Sequence, residues 1–203
     1  MNRLAGALFA LLAVTGCSSG GHDGTTRADL EDALAVELSG FHPVDGPEIT
    51  AVCDPSPTGG GEVPGLPEDI GTPVSVSFAG EESTVEAYAW AVDETAVRSL
   101  VGDVAARADD CAHEVFADAD TDGDGEIDAG STDVQTAEKW ASAGWTGLLV
   151  HREVAGLGHS ELVERRLVHQ GDVVLLAVLR SDRVDDETAP LDELLRTVHD
   201  ALD

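Results

Sequence analysis

Basic residues are what this 203-residue chain most conspicuously lacks. Lys139 is its one lysine, and 11 Lys and Arg together face 40 Asp and Glu, for a formal charge of −29. So negative a surface repels nucleic acid and anionic headgroups and draws cations, which excludes a nucleic-acid partner. Long hydrophobic runs are missing too. The longest, Leu4 to Val14, has about eleven residues, well short of the roughly 20 that a spanning helix needs. Cysteines number only 3, yet the chain is long enough to bury an ordinary core, so neither a metal nor several disulfides are needed for folding. Enzyme signatures are absent as well: no Gly-x-Ser-x-Gly elbow, no phosphate-binding glycine loop, no His-Glu-x-x-His, no Gly-x-Gly-x-x-Gly. Paired carboxylates occur throughout so acidic a chain and single out nothing. The chain reads as a non-enzyme.

What is present begins at the start. Arg3 supplies a short positive region, Leu4–Val14 the apolar region of an export signal, and Val14-Thr15-Gly16-Cys17 a small-residue site ending in Cys. This resembles the lipobox of bacterial lipoproteins. The resemblance implies cleavage before Cys17 and acylation of its thiol with diacylglycerol, palmitate being among the attached chains. Residues 1–16 are then a lipoprotein signal peptide and 17–26, rich in Ser, Gly and Thr, a flexible tether. The expected location is the extracytoplasmic face of the cell membrane, with the lipid on Cys17 as the membrane partner. With Cys17 so committed, Cys53 and Cys111 remain, and in an oxidising compartment two spare thiols pair. A bridge between them would contribute about 4 kcal/mol by loop entropy.

Residues 27–203 read as a single α+β domain: two layers, a largely antiparallel sheet with amphipathic helices packed on it. A helix is expected over Arg27–Ser39, with Thr26 as N-cap, Leu30, Ala33, Leu34 and Leu38 on one face, and Gly40 as its stop. After a turn at His42-Pro43, Ile49, Ala51 and Cys53 alternate as a short strand. Residues 54–73 hold five prolines and three consecutive glycines and read as a disordered insertion. Val74–Phe78 and Thr84–Val92 alternate as strands, the second with Val85, Ala87, Ala89 and Ala91 on one face and Tyr88 and Trp90 on the other. Asp93 caps a helix carrying Val97, Leu100, Val101, Val104 and Ala108. Cys111–Phe116 reads as a strand and Val134–Ala141 as a short helix or irregular return. Trp145–Arg152 and Ser160–His169 are strands, and Gly171-Asp172 is a tight hairpin turn. The unbroken apolar run Val173–Leu179 marks a central strand covered on both faces. Pro190 opens a last helix with Leu191, Leu194, Leu195, Val198 and Leu202 as its buried stripe.

The succession Asp93–Cys111, Trp145, Arg166 with Gly171–Leu179, and Leu191–Leu202 resembles the PknH-like sensor domain, found outside bacterial Ser/Thr kinases and on stand-alone lipoproteins. The resemblance covers roughly the last two thirds of the chain. It implies a mixed α/β fold, a cleft for an unknown small-molecule or cell-envelope ligand, and no catalytic residues to carry over. The expected function is therefore a membrane-anchored, non-enzymatic, sensor-like ligand-binding domain.

One loop offers chemistry of its own. From Asp120 the sequence follows the calcium pattern Asp-x-Asp-x-Asp-Gly, with Asp120, Asp122 and Asp124, the Glu126 carbonyl and Asp128 as ligands. Alternate side chains of a tight loop converge on one point, which suits a cation that wants six to eight oxygens. Ser131 stands where a bidentate Glu belongs, and no helices flank the loop. The alternative function is a calcium-stabilised structural or adhesive surface module; beyond that ion no cofactor is called for. His151, His159 and His169 lie on neighbouring strands without the spacing of a zinc site and read as structural.

Overall fold

The computed structural model describes residues 24–46, 51–56, 65–67, 70–119, 129–156, 158–183 and 188–203. In order they form α1 (Arg27–Ala33), β1 (His42–Val44), β2 (Val74–Ala79), β3 (Ser83–Ala91), α2 (Glu94–Ala106), α3 (Ala108–Cys111), β4 (His113–Ala119), β5 (Ala129–Ser142), β6 (Trp145–Gly156), β7 (His159–Gln170), β8 (Val173–Ser181) and α4 (Ala189–Leu202). The strands make one sheet in the order β1-β2-β3-β8-β7-β6-β5-β4, with every pairing antiparallel.

The largely antiparallel α+β expectation stands, but the layering differs from the two layers expected. Because β8 pairs with β3 and β7, both faces of its apolar run are available for packing. Val173, Leu175, Ala177 and Leu179 meet Leu30 and Ala33 of α1 and Leu191, Leu194, Leu195 and Val198 of α4. Val174, Leu176 and Val178 meet Val97, Val101 and Val104 of α2 and both cysteines. The sheet is thus the middle of three layers. β3 feeds the same two cores, with Val85, Ala87 and Ala89 on the α1/α4 side and Tyr88 and Trp90 on the α2 side. A period of two applied to a strand apolar at every position demands cover on both sides.

Local chemistry explains several element ends. Thr26 and Asp29 form a reciprocal capping box at α1. Asp93 accepts from the Thr95 and Ala96 amides at the start of α2. The two-residue turn between β5 and β6 has Ala143 at φ 48° and Gly144 at φ 82°, as a type I′ hairpin requires. Gly171 opens the β7–β8 turn at φ 56°. Trp145 donates its indole N–H to the Leu195 carbonyl at 2.9 Å, in the interior, which ties the β6 end to α4.

Elsewhere the sequence reading is corrected. The first helix ends at Ala33 and not at Ser39; Leu34 and Leu38 are still buried, reached by a chain that has already left the helix. His42-Pro43 is part of an edge strand, where proline is tolerated because one side needs no donor, and not a turn. Ala51 makes only an isolated bridge to Gly65, and Cys53 follows in a bend, so no strand runs into Cys53. Cys111 closes α3, and the strand begins at His113. Val134–Ala141 belongs to the 14-residue strand β5: pairing with β4 and β6 on both sides overrides the helix-forming Ala, Glu and Lys in it. Among the described residues, no helix is long and apolar enough to cross a membrane.

Candidate functional site

The face of the sheet under α2 and α3 gathers the polar chemistry. Cys53 and Cys111 are joined there with their Cα atoms 5.8 Å apart, and both are buried. Gln135 of β5, 1 % exposed, clasps both sides of the bridge. Its amide N–H groups donate to the carbonyls of Cys111 (2.5 Å) and Asp54 (3.0 Å), and its carbonyl accepts from the Asp54 amide at 3.1 Å.

The Asp54 carboxylate then accepts from two arginines, from Arg152 Nη1 at 3.1 Å and from Arg165 Nη2 at 2.9 and 3.0 Å. Arg152 in turn donates two parallel bonds to Asp133, at 2.9 and 2.7 Å, and His113 Nε2 lies 3.0 Å from the same carboxylate. The bond from Arg152 holds the Asp133 carboxyl below its usual range, against its partial burial. Arg165 is 1 % exposed, and burial lowers its guanidinium despite Asp54. Its Nε and Nη1, and Oε2 of Glu86, are buried without partners. These two side chains flank Val178 from β7 and β3. Burial raises the Glu86 carboxyl, with Arg180 and Arg165 opposing. This end of the face is an ionic lattice joined through Asp54, Asp133, Arg152 and Arg165.

The other end of the same face is open. A groove of about 290 Å³ runs between α2 and the β5–β6 end of the sheet, small for a ligand pocket but within the usual order of size. Its α2 wall is Arg98, Val101, Gly102 and Ala105, spaced i, i+3, i+4 and i+7 on one helical stripe. Opposite stand Lys139, Gly147 and His169. A Cβ on Gly147 would come within 2.0 Å of the Leu167 carbonyl, so only glycine lets β6 lie this close to β7. Gly102, in contrast, has nothing within 4 Å of a Cβ position and leaves the groove empty. His169 Nδ1 is buried without a partner, and burial, helped by the Arg98 charge, pulls its imidazole below the usual value. Arg98 pairs with Glu94. A larger hollow, about 840 Å³, lies at one end of the sheet, where Asp93, Glu94 and Asp172 supply its charge and Thr25 already satisfies Asp172.

The opposite face carries a second buried ion cluster. Arg166 donates to Glu164 at 2.7 Å and to Asp192 of α4 and stacks 4.8 Å from the centroid of Trp140. His151 joins it through Glu164 and Glu153.

Of the residues singled out in the sequence, Cys53 and Cys111 are brought together. Cys17 lies outside the described residues. So do Asp120, Asp122, Asp124, Glu126 and Asp128, the calcium candidates; the described strands before and after them pair up to Ala119↔Ala129. Among the described residues no cluster of three His, Cys, Asp or Glu could hold a metal ion. His151 and His169 alternate onto opposite faces of the sheet, since Glu164 and Thr146 are their respective partners. The segment expected as an insertion is anchored where it is described: Asp54 bonds Gln135, Arg152 and Arg165, Leu66 and Ile70 pack against the α2-side core, and Trp90 donates to the Gly71 carbonyl at 3.0 Å.

No protein-family profile matches the sequence, and no curated protein does either. A solved structure does. The fold is similar to that of the extracellular domain of PknH from Mycobacterium tuberculosis. The TM-score is 0.53 at 16 % sequence identity, and the match covers 90 % of this chain and 98 % of the PknH domain. At that identity the likeness is one of fold. It reaches further than the last two thirds on which the sequence resemblance rested.

Proposed function

We propose that this chain is a non-enzymatic ligand-binding domain displayed outside the cytoplasm and held at the membrane by a lipid on Cys17. The observation that carries the reading is the fold likeness to an extracellular domain over nine tenths of the chain. The Cys53–Cys111 bridge fits an oxidising compartment, and the groove under α2 supplies a place for a ligand. Fractionation of cells producing the wild-type chain and Cys17→Ala tests the anchor. The wild type should be found with membranes and the variant in the soluble fraction; equal retention of both would sink the anchor. A thermal-shift screen of small molecules on wild type and Gly102→Leu tests the binding reading, which requires at least one compound whose shift disappears in the variant.

The calcium loop is a separate proposal. The Ala119↔Ala129 pair brings the two ends of the segment together, as a converging set of carboxylates needs. Calorimetry should give heat with Ca²⁺ for the wild type and none for Asp120→Ala with Asp124→Ala.

A further inference from the structure

Four features of the groove under α2 bear on what would fill it. Its α2 wall is apolar between Val101 and Ala105. Lys139, the one lysine of a chain with charge −29, stands at its rim. Among the described residues that ammonium has no hydrogen-bond or ion-pair partner, whereas the Arg98 charge beside it is shared with Glu94. The imidazole of His169, with Nδ1 buried and unpartnered, adds a polar group to the lining.

We propose that this groove binds a single-chain amphiphilic anion, a medium-chain carboxylate, with its alkyl chain along Val101, Gly102 and Ala105 and its headgroup between Lys139 and Arg98. The inference rests on the ligand-binding reading above and names the ligand class. One unpaired ammonium and one shared guanidinium match a single negative charge better than a multiply charged phosphate. An uncharged alkyl ligand would leave Lys139 without a counter-charge, and a cationic one would be repelled. Each methylene of an alkyl chain that the groove removes from water raises affinity roughly fourfold.

The test uses the full chain carrying Cys17→Ala, so that no attached lipid or detergent competes, titrated calorimetrically with decanoate, decanol and decyltrimethylammonium. Decanoate should bind, decanol more weakly and the cation not at all. Lys139→Ala with Arg98→Ala should weaken decanoate by about tenfold or more, the loss expected for a charge-assisted contact, and leave decanol unchanged. Gly102→Leu should abolish decanoate binding. Its melting temperature should hold or rise, because leucine replaces a helical glycine facing empty space, so lost binding cannot be put down to misfolding. If decanol or the cation binds as tightly as decanoate and Gly102→Leu blocks them, the anion class is overturned while the groove remains a ligand site. If decanoate binding ignores Gly102→Leu, or none of the three compounds binds, this inference fails. The wider reading fails with it only if the thermal-shift screen also finds no Gly102-dependent compound.

Discussion

Asp54 is the residue on which most of the buried polar structure depends. Its carboxylate is the hydrogen-bond acceptor for the interior guanidinium of Arg165 and links it to Arg152. Removing one partner of a buried ion pair leaves an uncompensated charge, typically costing about 3–5 kcal/mol. Asp54→Ala should therefore lower stability by about 3 kcal/mol in urea unfolding, far more than Glu31→Ala, whose pair with Arg27 is exposed on both sides. His151 gives the molecule a pH dependence. Its imidazole is lifted to about 9, chiefly by Glu164 and further by Glu153, against burial. A folded-state value above the unfolded one means the stabilisation is complete below about pH 6.5. It fades as pH rises through 9. Urea midpoints should decline across that window, and His151→Gln should flatten the decline. None of these partnerships was legible beforehand, because they join residues as far apart as 111 positions. The signal that was available lies in Arg152, Arg165 and Arg166: arginines inside runs of strand residues rarely go under without a carboxylate to meet them.

At the scale of elements, what was legible is what local pattern alone determines. β8 shows itself as seven consecutive apolar residues, Val173–Leu179, β3 as an alternation with large residues on both phases, α4 as a stripe behind a proline. α2 announces both its cap and its buried face. Asp93→Ala should cost about 1 kcal/mol, read as a shift in the urea midpoint, because two helix-end amides lose their acceptor. Because α2 forms one wall of the groove, the same variant should also reduce the apparent affinity for any groove ligand. β5 departs from its local pattern for a reason that generalises. Its Gln135, Glu138 and Lys139 are unremarkable in a helix, and only the neighbours on either side, one of them beginning at Trp145, make it a strand. The groove was illegible for the same cause: Arg98, Lys139 and His169 come from three elements whose juxtaposition exists only in the assembled sheet.

At the scale of the whole molecule, the disulfide fastens the bend at Cys53 to the end of α3. It spans 58 positions and lies in the core on the α2 side. Replacing both Cys53 and Cys111 by alanine should lower stability by about 4 kcal/mol, measurable as a fall in the urea midpoint. The Arg152 contact to Asp54 should become weaker in the same variant. That this bridge could be anticipated while its surroundings could not follows from chemistry: paired thiols are few enough to be counted, carboxylates here are not.

The place of β8 has a consequence for how the chain comes into being. Among the described strands it comes last in chain order, yet it is hydrogen-bonded along its whole length to β3 and β7. Without it, β1–β3 and β4–β7 share no strand pairing, and each exposes an open edge that invites pairing with other chains. The β3–β8 contacts are remote in sequence, which slows folding. A chain stopped after Gln170 should be soluble only with difficulty and show no cooperative melt in calorimetry. Adding a peptide of residues 171–203 should restore both, in the manner of a wedge that completes an arch from within.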